Sequence, residues 1–459
     1  AGPIRAALMT SLASLVDLGE DVLGILADTV YEDRTRNGQD EDQDIRILCL
    51  VSRAFRVPCQ RLLFRKIHLR NGRHPLTKPL PILLRLHSIL SRNLHLSGYI
   101  RILKISQTFE GTIGDDLSHW VTSDPFLLEV LNLFASSPIT TLRLSSRETM
   151  YWSDMDVRLH ESFMAIFAKP TFRALRLFRV IIPPSLLSPT WLPHLENLCL
   201  IMTRIDTEET VPSIRVNDNR ILSNVYIEFE PRHDPEHWQG GPTRLHTLTS
   251  KAGLDLRTVK CLGLNFGSEI IPTFGPAAPL LRDLTDLRII LHDFGQDLSK
   301  YFDLSSLVSL QNLTIYHRFQ GSLEPSFFWT IKALASIPTS HSSLCSISVG
   351  LRFDFDETSK ERLSLIRRLS DELQRLHKRP AGVIAPRGHK TELHFRPHHI
   401  SAFFEPEPVF EGIKEAIAAY FRWGKQDESS GEFLMNLELN SAIDDWVYAN
   451  SGLRSIMSL

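Results

Sequence analysis

Leu310-Gln311-Asn312-Leu313-Thr314-Ile315 carries apolar residues at its first, fourth and sixth positions, and the repetition of this spacing along the chain decides the fold. Ten copies begin at Ile100, Ile139, Phe172, Leu195, Leu222, Val259, Leu284, Leu310, Leu344 and Leu434. The alternation at the fourth and sixth positions is that of a strand with one buried face. The first nine copies lie 23 to 39 residues apart, enough for one strand, one helix and the turns between them. Such triplets also arise by chance in a chain rich in Leu, Ile, Val and Phe, as at Leu128-Leu131-Leu133 inside a helical stretch. Placement separates the two cases. Residues 125–138 (PFLLEVLNLFASSP) precede 139–146 (ITTLRLSS), 161–170 (ESFMAIFAKP) precede 171–180 (TFRALRLFRV), and 326–338 (SFFWTIKALASIP) precede 343–351 (SLCSISVGL). In each, a 3.6-residue apolar period gives way across Pro or Ser to a period of two. Alternating helix and strand predict an α/β solenoid with a parallel sheet over residues 100–459. A quasi-one-dimensional body also suits 459 residues, which exceed the size at which one compact core keeps growing.

Composition limits the partners. With 51 basic and 53 acidic residues and a pI near 6.9, no global field favours nucleic acid or an anionic membrane, and neither is expected as a partner. No run of apolar residues is long enough for a transmembrane helix. Arg5 followed by AALMTSLASLV has the outline of a secretory start, but Ser and Thr interrupt it and Glu20-Asp21 follow, so no signal peptide is expected. Cysteines at 49, 59, 199, 261 and 345 are odd in number and contain no C-x-x-C, which argues against a disulfide framework and a zinc ribbon. A reducing compartment, cytoplasmic or nuclear, is the expectation. Asn312-Leu313-Thr314 matches a glycosylation sequon but falls within a predicted strand.

The first seventy residues read differently. Leu15, Leu18, Val22, Leu23 and Leu26 recur at helical spacing opposite Asp17, Glu20 and Asp21, an amphipathic helix. The acidic stretch EDRTRNGQDEDQD has too little apolar content to fold alone and should be solvated. A second block sets Ile45, Leu48, Val51 and Phe55 on one face, reaches Pro58, and resumes with Leu62, Leu63 and Phe64. The expected organisation is therefore a helical domain over 12–70, a connecting helix or linker over 71–99, and the repeats with a C-terminal cap over 100–459.

Leu18-Gly19-Glu20-Asp21-Val22-Leu23 resembles the opening Leu-Pro-x-Glu of the F-box, and Val51-Ser52-Arg53-Ala54-Phe55 resembles its Val-Cys-x-x-Trp. Leu63-Phe64-Arg65-Lys66-Ile67 resembles its closing aromatic and the strand that follows. The chain is similar to F-box proteins with irregular leucine-rich repeats, a type common in fungi. It departs from them at Gly19 in place of Pro, at Phe55 and Phe64 in place of Trp, and in its acidic insertion. The Asn that usually follows the repeat strand is missing from every copy, for example at Val180, Thr203 and Arg318, so uneven turns are expected. The resemblance implies a substrate-recognition subunit of a cullin-type ubiquitin ligase. An F-box would bind a Skp-type adaptor, and through it a cullin, while the repeats hold a protein substrate. Carried over by motif position, Leu18, Val22, Leu23, Val51, Phe55 and Phe64 would contact the adaptor or support the surface that does. The alternative is a non-catalytic repeat scaffold in which the same helices cap the solenoid.

Fifth-position residues of the repeats should face the open side of the sheet, where they read Lys104, Arg143, Arg176, Cys199, Tyr226, Gly263, Arg288, Thr314, Ser348 and Glu438. Three cations on successive strands repel one another unless water screens them or an anion joins them, so an acidic or phosphorylated substrate segment fits Lys104, Arg143 and Arg176. Phe178, Tyr226 and Tyr316 fall at open-face positions and are candidate anchors; Arg288 completes the substrate-binding set. No G-x-S-x-G, Walker loop or H-E-x-x-H occurs, so no catalytic residue, cofactor or metal is expected. His233-Asp234-Pro235-Glu236-His237 has ligand types, but Pro235 prevents the helix that would align two histidines, and His394, His398 and His399 flank Pro397 in the same way. Ile366, Leu369, Leu373 and Leu376 predict a core-facing helix whose basic end, from Arg375 on, complements its dipole. VFEGIKEAIAAYF should dock beside a last strand at Leu434, capped by Trp446.

Overall fold

The structure is a computed structural model that describes residues 23, 27, 41–51, 53–70, 82–107, 120–206, 221–228, 248–249, 254–266, 278–292, 303–318, 324–338, 343–354, 360–377, 390–398 and 432–437. It is mixed α/β with a large parallel sheet. The chain divides into two compact units, 1–173 and 174–459, a division that falls inside the stretch read as repeats.

In the first unit, helices α1 (Glu41–Val51) and α2 (Arg56–Leu63) flank a 3-10 turn at Arg53–Phe55. The interruption read at Pro58 thus falls before it. Pro58 sits in the first turn of α2, where its missing N–H would have had no intrahelical acceptor. Strands β1 (Lys66–Arg70), β2 (Ile102–Gln107) and β3 (Thr141–Tyr151) run parallel in chain order. Helices α3 (Ile82–Arg92), α4 (Trp120–Ser123), α5 (Pro125–Leu133) and α6 (Val157–Phe167) accompany them, α5 packing against both α3 and α6. Asp124 caps α5 by accepting from Phe126 N at 2.8 Å, with Pro125 in the first turn, and Asp156 caps α6 by accepting from Arg158 N at 2.8 Å. The bond from Arg158 N holds the Asp156 carboxyl below its usual range. Leu128-Leu131-Leu133 is helical, as read.

In the second unit β4 (Ala174–Ile182), β5 (Asn197–Ile201), β7 (Asn224–Glu228), β8 (Cys261–Phe266), β9 (Asp286–His292), β10 (Asn312–Arg318), β11 (Ser346–Asp354), β12 (Lys390–His398) and β13 (Glu432–Leu437) follow in that order, each parallel to the last. The short β6 (Arg204–Ile205) pairs with the end of β4. Fourth-position residues Leu175, Leu198, Val225, Leu262, Leu287, Leu313 and Ile347 stand in one register row and sixth-position residues Leu177, Leu200, Ile227, Leu264, Ile289, Ile315 and Val349 in another, none more than 1% exposed. These two rows are the inner face of the sheet and its core.

Two expectations need correction. Not every described return segment is an α-helix: between β4 and β5 the chain makes a 3-10 turn at Pro184–Leu187, because the 23-residue spacing from Phe172 to Leu195 leaves little chain beyond strand and turns. The last strand is out of the expected register, Glu392 standing opposite Leu434 rather than Glu438 in the fifth-position row. Strands β4 and β10 run through the positions where the Asn would stand, Val180 and Arg318, while beyond the end of β5 Thr203 replaces the amide by donating from Oγ1 to the carbonyls of Leu177 and Ile201, each at 3.1 Å. Just before those positions Arg179 and Met202 take left-handed backbone (φ 55° and 50°). The backbone therefore turns at the same step within β4 and just after β5, and the ladder resumes beyond it as Ile181 opposite Arg204.

Cations from following elements close two helix ends. In the second unit, α7 (Glu324–Ser336) packs against α8 (Lys360–His377), whose Leu369 and Leu373 are fully buried. Arg375 donates from Nη2 to Leu334 O at 2.7 Å and from Nη1 to Ile337 O at 3.1 Å, so it caps α7 besides bonding Glu372 within its own helix. In the first unit Lys169 donates from Nζ to the carbonyls of Phe134 and Ser137, both at 2.7 Å, closing the end of α5 and the turn after it. Burial pushes the Lys169 ammonium down to about 8. A neutral amine still has two N–H groups for two carbonyls, so deprotonation relieves burial without breaking the cap. The unfolded chain binds this proton more tightly, and the contribution to stability is complete above the unfolded value and lost as pH falls through about 8. Lys169→Met should abolish the rise in stability above that pH and cost about 1–3 kcal/mol at neutral pH. Denaturant titration of both proteins from neutral to alkaline pH checks this.

No helix among the described residues is long and apolar enough to cross a membrane. Residues 1–22, VFEGIKEAIAAYF, Trp446 and the histidines at 233, 237 and 399 lie outside the described residues.

Candidate functional site

Two surfaces contain the residues singled out by sequence. The first is helical. Leu23 and Ala27, four apart on one helical face, pack with Ile45 and Leu48 of α1, Phe55 of the 3-10 turn, and Cys59 and Leu62 of α2. Leu23 and Phe55 are only 2% and 3% exposed, so they hold these helices together from inside. Phe64 is half-buried at the C-terminal end of α2, and Val51 ends α1. Leu18 and Val22 lie outside the described residues. Burial, with Cys49 a smaller contributor, pushes the Cys59 thiol up to about 12, so this cysteine stays protonated and serves as packing. Sequence reading missed Leu50. On the far side of α1 it is 87% exposed, and Val57 of α2 is 38% exposed.

The second surface is the outer face of the strands. In the first unit His68, Lys104 and Arg143 stand side by side in one register row. His68 Nε2 lies 2.9 Å from Ser106 Oγ, which accepts from Ser145 Oγ at 2.9 Å. Lys104 and Arg143 are therefore neighbours as expected. His68 was missed because β1 precedes the first apolar triplet, although Ile67-x-Leu69 alternates like a strand.

In the second unit the corresponding row reads Arg176, Cys199, Tyr226, Gly263, Arg288, Thr314, Ser348, Glu392 and Leu434. Cys199, Ile201 and Tyr226 form an apolar cluster distinct from the inner core, with Phe178, Met202 and Cys261 packed against it. Phe178 is half-buried and has the Arg179 guanidinium over its ring at 5.6 Å. Tyr226 and Tyr316 are 1% and 2% exposed, so neither ring is offered at the surface. Tyr226 lies flat across Gly263 on the next strand and donates from its hydroxyl to Glu228 Oε2 at 2.8 Å. Tyr316 lies across Gly350 in the same manner. Beside the row, Asp286 accepts from Asn312 Nδ2 at 2.8 Å and from Thr285 Oγ1 at 2.7 Å, which occupies both carboxylate oxygens and accounts for the sequon asparagine. Cys261 stands opposite Asp286; burial raises its thiol, with Arg288 acting the other way.

In the second unit this row sets Arg176 and Arg288 on the same face as Thr314 and Ser348; no group of three or more His, Cys, Asp or Glu placed to hold a metal ion occurs among the described residues. No protein-family model matches this chain, and no curated protein matches it.

Proposed function

We propose that the chain is a substrate receptor of a cullin-type ubiquitin ligase, with an F-box-like helical part that binds a Skp-type adaptor and a curved leucine-rich-repeat-like solenoid that holds a protein substrate. The observation that supports this most is the pairing of a self-contained helical core with an exposed Leu50, directly followed by strands stacked in chain order. The buried residues Leu23 and Phe55 shape the helices, while Leu50 and Val57 supply the contact. Function then requires no catalytic group. Holding a substrate beside a transferring enzyme raises its effective concentration and fixes its orientation.

The second reading, a repeat scaffold whose helices serve as an end cap, is favoured by one feature. Arg65, just after α2, accepts backbone bonds from Arg101 N and Ile102 N at 2.9 Å, so the helices run straight into the sheet. A pull-down of the purified intact chain on a recombinant Skp-type adaptor separates the two. Capture is expected. Leu50→Asp should weaken it at least tenfold, because burying one leucine side chain is worth about 1.5–3 kcal/mol and a carboxylate forfeits that gain. The melting temperature should not change. No capture by the unaltered chain would leave the scaffold reading in place.

A further inference from the structure

From Ile45 to Phe109 the chain carries 13 Lys and Arg and no Asp or Glu, although its composition would put about seven acidic residues in a stretch of that length. The near-neutrality of the whole chain hides this excess. Fields in physiological salt die away over about 8 Å, so a partner meets the local charge and not the net charge of -2.

Folding gathers part of the excess on one surface of the first unit. Helix α3 buries Leu83 and Leu90, while Arg85, Ile89 and Arg92, spaced by four and three residues, share the opposite face and are exposed. Ile89, between the two arginines, is 45% exposed. Asn93 ends the helix by donating from Nδ2 to Ile89 O at 3.0 Å, and the 3-10 helix Leu94–Tyr99 starts at once with Leu94, 63% exposed. Three contacts carry the surface across to α2. His95 meets the Tyr99 ring edge-on at 6.1 Å, the Arg61 guanidinium lies over that ring at 5.9 Å, and Arg101 N donates to Arg65 O. Arg61, Arg65 and Lys66 are all exposed. On its other side the band ends at α5, where Glu129 Oε2 comes within 3.7 Å of His87 Nε2.

We infer that this face, from α2 through Leu94 to α3, docks the protein on an anionic lipid bilayer, with Arg61, Arg85 and Arg92 at the headgroups and Ile89 and Leu94 entering the interface. Two features select lipid over other polyanions. Aliphatic side chains set among cations gain both from apolar burial and from attraction to anionic headgroups. A single-stranded nucleic acid instead needs aromatic faces on which bases stack, and the Tyr99 ring already has Arg61 over it. Each cation brought to an anionic leaflet is worth about fivefold in affinity, so several together give firm attachment where one would not. Leu50 and Val57 take no part in this face, so bilayer docking is independent of adaptor capture.

Cosedimentation of the intact chain with sucrose-loaded vesicles supplies the test. Phosphatidylcholine vesicles holding about 30% phosphatidylserine should retain the protein at least tenfold better than phosphatidylcholine alone in ~0.1 M salt, and ~0.5 M salt should release it. Arg85→Glu combined with Arg92→Glu should lower binding at least tenfold. Ile89→Ser combined with Leu94→Ser should lower it about fivefold or more with the salt dependence intact, because it removes apolar burial and no charge. All four side chains are exposed, so melting temperatures should not move. Should the glutamates fray the end of α3, Arg92→Gln alone, with no new charge, should still weaken binding several-fold. Arg282→Glu, at an exposed cation of the second unit, should leave it unchanged. Equal sedimentation with both vesicles, none with either, or binding indifferent to the α3 or Leu94 changes overturns the assignment. So does capture of polyuridine RNA in preference to the charged vesicles, which would make the partner a nucleic acid. Leu50→Asp should still sediment with charged vesicles; its release would put the lipid contact on the adaptor face and overturn this one.

Discussion

Phe55→Asp is expected to unfold the N-terminal helices and abolish adaptor capture together, whereas Leu50→Asp is expected to weaken capture at least tenfold with the helices intact. Phe55 is 3% exposed within a cluster of seven buried residues from three short segments. Deleting a buried phenylalanine costs about 3–5 kcal/mol, and a carboxylate in its place must also be desolvated or protonated. So small a cluster has nothing in reserve against that loss. Loss of helical circular dichroism, protease cleavage between 41 and 70, and absence from an adaptor pull-down should appear at once. Leu50, 87% exposed, can take a charge with the helices intact. Retained helicity and retained capture in Phe55→Asp would mean that the cluster does not hold these helices. A pull-down that fails in Phe55→Asp alone therefore does not reveal a contact surface; only the Leu50 change probes one.

Gly263→Ala is the second large effect, and its sign is the informative part. A glycine in a strand is ordinarily less favourable than alanine, because the unfolded chain has more freedom to lose. Here an added Cβ would stand 2.5 Å from Cδ2 of the Tyr226 ring. The ring cannot easily retreat, being 1% exposed and tied through its hydroxyl to Glu228. Overpacking of this kind costs about 1–3 kcal/mol, and Gly263→Val more. Gly350→Ala should behave alike against Tyr316. Removal of the ring supplies the check: in a Tyr226→Ala background Gly263→Ala should become neutral or stabilising, a coupling of at least about 1 kcal/mol between contacting residues. Denaturant midpoints of the four proteins in this cycle measure it, and simple additivity would refute the steric account.

Much of the architecture was written in the apolar spacing. Each of the first nine triplets contributes its fourth and sixth residues to a strand, and first-position residues such as Ile100, Ile139, Leu195 and Leu310 are fully buried. A buried inner face tolerates no one-residue slip, since that would turn every apolar side chain outward, so the pattern fixes the register. It loses that force at the C-terminal end. There Thr391 occupies a fourth-position row, β12 lacks a full triplet, and the last strand sits several residues from its expected register. Leu50 escaped notice for a related reason. Its neighbours Leu48 and Val51 continue the apolar stripe, and composition does not reveal which of several adjacent aliphatics a short helix leaves uncovered.

The outer face was legible in position but not in state. Sequence alone put Lys104 beside Arg143, and Tyr226, Gly263, Arg288, Thr314 and Ser348 in one row, because alternation in a strand is a local property of the backbone. Whether a residue in that row is open, buried or in want of an acceptor depends on what neighbouring strands bring to it. Tyr226 is buried because the next strand has a glycine for its ring to lie on, and the Asp286 carboxylate is bonded because Asn312 on the next strand reaches it. Those are contacts between segments tens of residues apart, so only the folded chain decides them.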